Sequence, residues 1–180
     1  MVLTYKELIN NGYSDYKIKN LLKDNKIFII SKGMYSTSKQ YDILEFLTKK
    51  HPNAVVTLES ACYCYGLLAK KPEIPVVATK QKDRKIKDVN VKQIFMPYSY
   101  YDIGVNTIKY KNYNIKIYDL ERLLIEILRY KTKINYDIYI QIVQSYRRIR
   151  KLLKQEKIIK YLEFFDNKNI EKRIQNEIFN

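Results

Sequence analysis

The stretch Ser14–Tyr35, SDYKIKNLLKDNKIFIISKGMY, is the part of the sequence that decides the fold. Its first half predicts a helix that begins after Ser14, because a serine hydroxyl can accept a hydrogen bond from an unpaired amide of the first turn. Ile18, Leu21 and Leu22 follow at spacings of three and four, which places them on one face of that helix.

The second half of the stretch predicts a β-hairpin. Residues 27–30 form a run rich in β-branched side chains, which is typical of a strand. Lys32 and Gly33 then supply a turn, and Met34 begins the return strand. A helix that leads directly into such a hairpin indicates the recognition helix and wing of a winged helix-turn-helix.

The predicted helix also has a polar face, which Tyr16, Asn20 and Lys23 share at about 100° per residue. Amide, phenol and ammonium groups on one exposed face suit a DNA major groove. We expect these three side chains to reach base edges and the neighbouring lysines to hold phosphates, although a merely solvated face would show the same pattern. The predicted DNA-binding residues are Tyr16, Lys17, Lys19, Asn20, Lys23, Lys26, Lys32 and Tyr35.

A second helix is predicted before this stretch. Thr4 and Glu7 match a capping box, and Gly12 is a suitable residue for the end of the helix. We therefore assign residues 1–40 to a winged helix-turn-helix domain and residues 41–180 to a second domain. The helix that usually precedes a winged unit has no counterpart here, so either the unit is minimal or a later helix covers its open face.

The rest of the chain predicts a small mixed sheet followed by helices. The fold class is thus α+β: an N-terminal minimal winged helix-turn-helix, a mixed α/β segment and a C-terminal helical bundle. The predicted helices are Gln40–Lys50, Ala54–Leu68, one that begins after Asp119, Tyr136–Arg150, Ile158–Phe165 and Ile170–Phe179; the predicted strands are Pro75–Thr79, Val91–Met96, Thr107–Tyr110 and Tyr113–Tyr118.

The charge of the chain favours polyanionic partners. Lysine and arginine number 34 against 19 acidic residues, for a net charge of +15, and such a field attracts nucleic acid or anionic lipid. No signal peptide and no apolar run of about 20 residues is evident. The sequence therefore predicts a cytoplasmic protein with no membrane partner and leaves its oligomeric state open.

A second basic cluster follows the helix that begins near Tyr136. It consists of Arg147, Arg148, Arg150, Lys151 and Lys154. Cations at the C-terminal end of a helix are favoured by its macrodipole, and they can equally provide secondary phosphate contacts.

Catalytic motifs are hard to find. The four glycines are isolated, so no phosphate-binding loop is present, and His51 is the only histidine. The triplet that begins at Asp83 is the nearest approach to a nuclease motif, and it lies in a predicted loop. We expect no enzyme, no metal site and no cofactor; a metal-dependent nuclease that uses Asp83 is the alternative.

The order of the motifs resembles the AbiEi family of antitoxin regulators from bacterial type IV toxin–antitoxin and abortive-infection systems. Four stretches carry the resemblance and together span nearly the whole chain. They are NLLKDNKIFIISKGMYS, NAVVTLESACYCYGL, IKIYDLERLLIEILRYKTKINYDIYIQIVQSY and NIEKRIQNEIF.

The resemblance implies a two-part protein. Its winged unit would bind inverted repeats of double-stranded operator DNA and repress its own operon. Its larger C-terminal part would counteract a nucleotidyltransferase-like toxin, functionally rather than necessarily by stable contact. A stand-alone winged-helix transcriptional regulator without a toxin partner is the alternative.

Overall fold

The computed structural model describes residues 1–87, 89–165 and 168–180, and in them it has the α+β fold that the sequence predicts. The chain divides into two compact units. The first comprises Met1–Ala54 with Lys87–Val89, and the second comprises Val55–Ile86 with Asn90–Asn180. The second unit carries the helical C-terminal part. Among the described residues, no helix has the length and apolar character needed to cross a membrane.

The first unit contains three helices and an antiparallel sheet of three strands in the order β1-β3-β2. Strand β1 was not predicted from the sequence, and it pairs with β3 on the side opposite β2. The elements are β1 (Val2–Thr4), α1 (Tyr5–Asn10), α2 (Asp15–Lys23), β2 (Phe28–Ser31), β3 (Met34–Ser36) and α3 (Ile43–Lys50).

The predicted starts of helices α1 and α2 are confirmed by their caps, whereas α3 begins at Ile43, three residues after the predicted Gln40. Thr4 Oγ1 accepts from the amide of Glu7 at 3.1 Å, and the Glu7 carboxylate accepts from the amide of Thr4 at 2.6 Å. Gly12 follows helix α1 with φ +80°, a conformation that glycine adopts without steric cost. The Ser14 hydroxyl accepts from the amide of Lys17 at 3.3 Å and caps helix α2.

Helix α3 belongs to the first unit, so the predicted domain boundary at residue 40 is wrong. Phe46 packs with Val2 and Met34 in one buried cluster on the face of the sheet turned away from helix α2. Lys49 Nζ binds the Val2 carbonyl at 2.7 Å and Glu7 Oε1 at 2.8 Å. A later helix therefore covers the open face of the winged unit, which is one of the two alternatives left open by the sequence.

The second unit is built on a five-stranded mixed sheet in the order β6-β5-β4-β8-β7. The sequence predicted all of its strands except β4, which precedes Thr57, the predicted and observed cap of the helix in the stretch Ala54–Leu68, and pairs with β5 and β8. The strands are β4 (Val55–Val56), β5 (Val76–Lys80), β6 (Lys92–Met96), β7 (Val105–Tyr110) and β8 (Tyr113–Tyr118).

Six helices of the second unit lie within the described residues, and α6, α7 and α8 begin or end within about three residues of the predicted positions. Short 3-10 turns at Lys131–Lys133 and Arg150–Leu152 connect them, and a π-helical turn at Gln175–Phe179 follows the last. The helices are α4 (Leu58–Cys64), α5 (Tyr98–Tyr101), α6 (Leu120–Arg129), α7 (Tyr136–Ile149), α8 (Gln155–Leu162) and α9 (Lys168–Ile174).

Helix α6 is the most deeply buried helix among those described, and it carries an internal ion pair. The carboxylate of Glu126 lies 2.7 Å from the Arg122 guanidinium and 2.9 Å from the Arg129 guanidinium. Arg122 is fully buried, with the rings of Tyr118 and Phe165 centred 4.6 and 4.5 Å from its guanidinium carbon. The guanidinium groups of Arg122 and Arg129 are therefore already paired inside the second unit.

Candidate nucleic-acid interface

Helix α2 is anchored to the first unit through one side. Ile18 is 4% exposed and packs with Leu8 of α1 and with Ile27, while Leu21 and Leu22 lie at the edge of this cluster. Since the apolar side chains share one face, the opposite face is left to solvent. The predicted anchoring of the helix is confirmed.

The polar face of α2 is open, as the sequence predicts. Tyr16 is 74% exposed, and Lys17, Lys19, Asn20 and Lys23 are exposed as well. Within the described residues, the side chains of Tyr16, Asn20 and Lys23 have no hydrogen bond or ion pair. Phenol, amide and ammonium groups therefore stand side by side on one surface, where they are free to meet an external partner.

The start of α2 is fixed by a contact from α1. The Tyr5 hydroxyl donates to Asp15 Oδ1 at 2.8 Å, and this hydrogen bond raises the pKa of the Tyr5 phenol. Asp15 occupies the first turn, where a carboxylate is favoured by the helix dipole. The contact joins the two helices at the end of α2 that carries Tyr16.

The wing has the turn that the sequence predicts. Ser31 pairs with Met34, so Lys32 and Gly33 form the tip; Gly33 has φ +70°, and its carbonyl accepts from the amide of Tyr5 at 2.9 Å. Lys32 is exposed at this tip. Lys50 Nζ donates to the Ser31 hydroxyl and thereby joins helix α3 to the wing.

Lys26, which was predicted as a DNA contact, and Lys39, which was not, lie beside the hairpin on its two sides in the sequence. Lys26 is exposed, and its Nζ lies 3.9 Å from Asp24 Oδ2, a surface pair that contributes little to stability. Lys39 was not predicted as a contact, yet it is exposed and its Nζ lies 5.8 Å from the ring centre of Phe28 in the wing. The sequence could have indicated Lys39 as a candidate contact, because it follows the predicted hairpin by only a few residues.

The structure places Tyr35 differently from the other predicted DNA contacts. Its side chain is half-buried and packs against the cluster of Leu8, Ile18 and Ile27. Strand alternation explains this, because Met34 faces the cluster under α3 and its neighbour must face the cluster under α2. Tyr35 therefore supports the helix that carries the polar face, and its contact with DNA stays a prediction.

The second predicted basic cluster lies where α7 ends and α8 begins. All five of its side chains are exposed, and Arg147 Nε donates to the Glu177 carbonyl at 2.6 Å. The nearby Lys157 is engaged internally, at 3.0 Å from Asp119 Oδ2 and 3.3 Å from Glu121 Oε2. The exposed members are Arg147, Arg148, Arg150, Lys151 and Lys154, and their role as secondary phosphate contacts stays a prediction.

Asp83, the residue that the alternative nuclease hypothesis uses, has a structural role in a turn. Asp83 Oδ2 accepts from the amide of Lys80 at 3.0 Å and so closes the turn after strand β5. Across the described residues, no group of three or more histidine, cysteine or acidic side chains has an arrangement that could hold a metal ion.

The comparisons with known proteins concern the fold. No family model matches the chain, and no curated protein matches it. Among solved structures it is similar to "Crystal structure of RV2827C protein from Mycobacterium tuberculosis", with a TM-score of 0.69 and 13% sequence identity, over 99% of this chain and 71% of that one. At this identity the similarity shows a shared fold across nearly the whole chain.

Proposed function

We propose that this protein is a DNA-binding antitoxin that represses its own operon in the cytoplasm. The DNA-binding part rests on one observation: helix α2 buries Ile18 against the first unit, while Tyr16, Asn20 and Lys23 face solvent and have no partner among the described residues. An anchored helix with an open polar face is what a major groove accepts.

In this proposal the polar face reads bases and the lysines around it position the duplex. Tyr16, Asn20 and Lys23 contact base edges, and Asn20 is suited to a bidentate contact with adenine. Contacts with phosphates supply affinity that does not depend on sequence. The residues assigned to phosphates are Lys17, Lys19, Lys26 and Lys32.

The test is fluorescence anisotropy with the DNA that precedes the protein's own coding sequence, compared with a scrambled duplex over a series of salt concentrations. Asn20→Ala is expected to reduce the preference for the specific DNA by about 1–3 kcal/mol. Lys32→Ala is expected to weaken binding to both duplexes alike and to lower the salt slope by about one.

Matched controls come from the second unit, where Asn114 and Lys109 are exposed on strands β8 and β7. Asn114→Ala and Lys109→Ala should leave both the preference and the salt slope unchanged. If Asn20→Ala preserves the preference for the specific duplex, α2 is not the recognition helix.

The antitoxin part rests on the resemblance of four sequence stretches to the AbiEi family. Co-expression with the product of the adjacent gene, scored as rescue of growth, tests it directly. Rescue by the Asn20→Ala variant would assign antitoxicity to residues outside the recognition helix. A neighbouring gene that encodes no nucleotidyltransferase, together with intact DNA binding, would instead favour the stand-alone regulator.

A further inference from the structure

Tyr5, the first residue of helix α1, makes a hydrogen bond to each of the two elements that the proposed function places on DNA. Its amide donates to the carbonyl of Gly33 at the tip of the wing, at 2.9 Å. Its hydroxyl donates to Asp15 Oδ1 in the first turn of helix α2, at 2.8 Å. Tyr5 therefore joins the wing tip to the proposed recognition helix.

The backbone of Tyr5 is held from both sides. Strand β1 ends at Thr4, which pairs with Met34 of β3, and the capping box of Thr4 and Glu7 then begins helix α1. Because a paired strand precedes Tyr5 and a capped helix begins with it, its backbone cannot move without the loss of these contacts. The Tyr5 hydroxyl therefore reaches α2 from a fixed base.

The first turn of α2 has little other support. Asp15, Tyr16 and Lys17 are all exposed, and Ile18 is the first buried residue of the helix. Among the described residues, the bond from Tyr5 is the one hydrogen bond or ion pair that joins a side chain of this turn to another element. Packing at Ile18 thus fixes the middle of the helix, whereas Tyr5 fixes the end that carries Tyr16.

We propose that Tyr5 is a positioning residue that holds the first turn of α2 at a fixed distance from the wing tip. The inference rests on the proposed function, in which α2 contacts bases while Lys32 contacts a phosphate of the same duplex. Phosphate contacts set the register of a protein on DNA, and base contacts then need side chains that are already aligned. Without the hydroxyl bond, the turn must be ordered during binding, and this ordering lowers the affinity for the specific sequence.

Fluorescence anisotropy with the specific and scrambled duplexes tests the variant Tyr5→Phe, which removes the hydroxyl and keeps the ring and the amide. We expect the preference for the specific duplex to fall about threefold to tenfold, which corresponds to the net contribution of one hydrogen bond. Affinity for the scrambled duplex and the salt slope should stay unchanged, because both depend on phosphate contacts. An equal loss of affinity for both duplexes would show a structural role alone and would overturn the proposal.

Two variants of Asp15 test whether Tyr5 acts through this residue. Both Asp15→Asn and Asp15→Ala lose the carboxylate charge, but only Asp15→Asn keeps an oxygen that can accept from the Tyr5 hydroxyl. Asp15→Asn should therefore retain most of the preference, and Asp15→Ala should lower it as far as Tyr5→Phe does. The double variant Tyr5→Phe/Asp15→Ala should be no worse than either single variant, because both remove the same bond.

Tyr13→Phe is the matched control. It removes a hydroxyl from a tyrosine that is 39% exposed in the same unit, close to the 42% of Tyr5, and it should bind both duplexes as wild type does. Additive losses in Tyr5→Phe/Asp15→Ala, or a preference that Tyr5→Phe retains in full, would overturn the proposal.

Hydrogen exchange of the DNA-free protein separates this inference from the proposed function. Tyr5→Phe should raise the exchange rates of the amides of residues 17–20 by about threefold or more, while the amides of helix α7 keep their rates. Unchanged exchange would overturn the positioning role, whatever the affinity for DNA. If wild type binds the two duplexes equally while exchange still rises in Tyr5→Phe, the proposed function fails and the hold of Tyr5 on α2 stands.

Discussion

Helices α2 and α6 use charged and polar side chains in opposite ways. Helix α2 buries a single residue, Ile18, and leaves its lysines without internal ion pairs within the described chain. Helix α6 buries eight consecutive residues, and three of its charged side chains, Arg122, Glu126 and Arg129, pair with one another. The difference shows that a basic residue in this highly basic chain is a candidate for nucleic-acid contact only where the interior has not already engaged it.

The largest effect is expected from breaking the ion pair inside α6. Glu126→Gln would leave the buried Arg122 guanidinium without its counter-charge and remove the partner of Arg129. The expected loss is about 3–5 kcal/mol in the free energy of unfolding, measured by urea denaturation. The exposed Glu156→Gln is the control and should cost less than about 0.5 kcal/mol.

If Glu126→Gln lowered the free energy of unfolding no more than its control, the internal ion pair of α6 would not contribute to stability. The contrast between α6 and α2 would then fail. The double variant Arg122→Met/Glu126→Leu sharpens the point. Replacement of both partners by apolar side chains of similar volume should cost less than Glu126→Gln alone, because no uncompensated charge remains between them.

The second-largest loss of stability is expected from a substitution on the buried side of α2. Ile18→Ala removes buried apolar atoms from the cluster with Leu8 and Ile27, with an expected cost of about 2–4 kcal/mol to the first unit. Tyr16→Ala, on the open face of the same helix, should stay within about 0.5 kcal/mol. Hydrogen exchange of the α2 amides would measure both, and equal protection in the two variants would contradict the two-sided description of this helix.

A smaller effect is expected where a glycine touches α6. A Cβ atom at Gly104 would lie 2.5 Å from the Arg122 Cβ atom, whereas Gly66 has a similar positive φ and open space around it. Gly104→Ala should therefore be less stable than Gly66→Ala by about 1–3 kcal/mol, the usual cost of overpacking. Thermal unfolding of the pair measures the difference; equal stabilities would mean that α6 tolerates displacement.

The smallest effect concerns the partly exposed pair between Glu7 and Lys49. Burial raises the pKa of Glu7, but the hydrogen bonds from Lys49 and Thr4 outweigh it and hold that pKa below its ordinary value of 4.5. The stabilisation is therefore present above about pH 4.5 and is lost as the pH falls through the lowered pKa.

Because the Glu7 side chain is 42% exposed, we expect less than about 1 kcal/mol from this pair. Urea denaturation of wild type and Glu7→Gln at pH 7 and pH 3 should show a difference at pH 7 that shrinks at pH 3. A difference that grows toward pH 3 would contradict the lowered pKa and remove the contrast with the fully buried pair of α6.

The sequence predicts those parts of the fold that depend on local chemistry. The caps at Thr4, Ser14 and Asp119 follow from side chains that can satisfy amides of the first turn, and the wing follows from Gly33. Strands β1 and β4 were missed because three and two residues are too short to show a periodicity, and their pairing partners lie more than 20 residues away in sequence.

The polar face of α2 could also be predicted from local sequence. Helical spacing alone separates the buried Ile18 from Tyr16, Asn20 and Lys23. The packing of Tyr35 against the α2 cluster was not predicted, because one strand residue does not reveal that both faces of the sheet are covered. The internal role of Arg122 could not be derived from spacing either, because the rings of Tyr118 and Phe165 that surround it lie outside its own helix.

The position of helix α3 in the chain has a consequence for synthesis on the ribosome. A nascent chain that has released only its first 40 residues exposes the apolar face formed by Val2 and Met34. Phe46 covers that face only after it has emerged, and Val89 completes the cover later still. A peptide that ends before residue 43 has the proposed recognition helix and wing but lacks the helix that covers them. In the proposed autorepressor, repression would therefore require chains translated beyond α3.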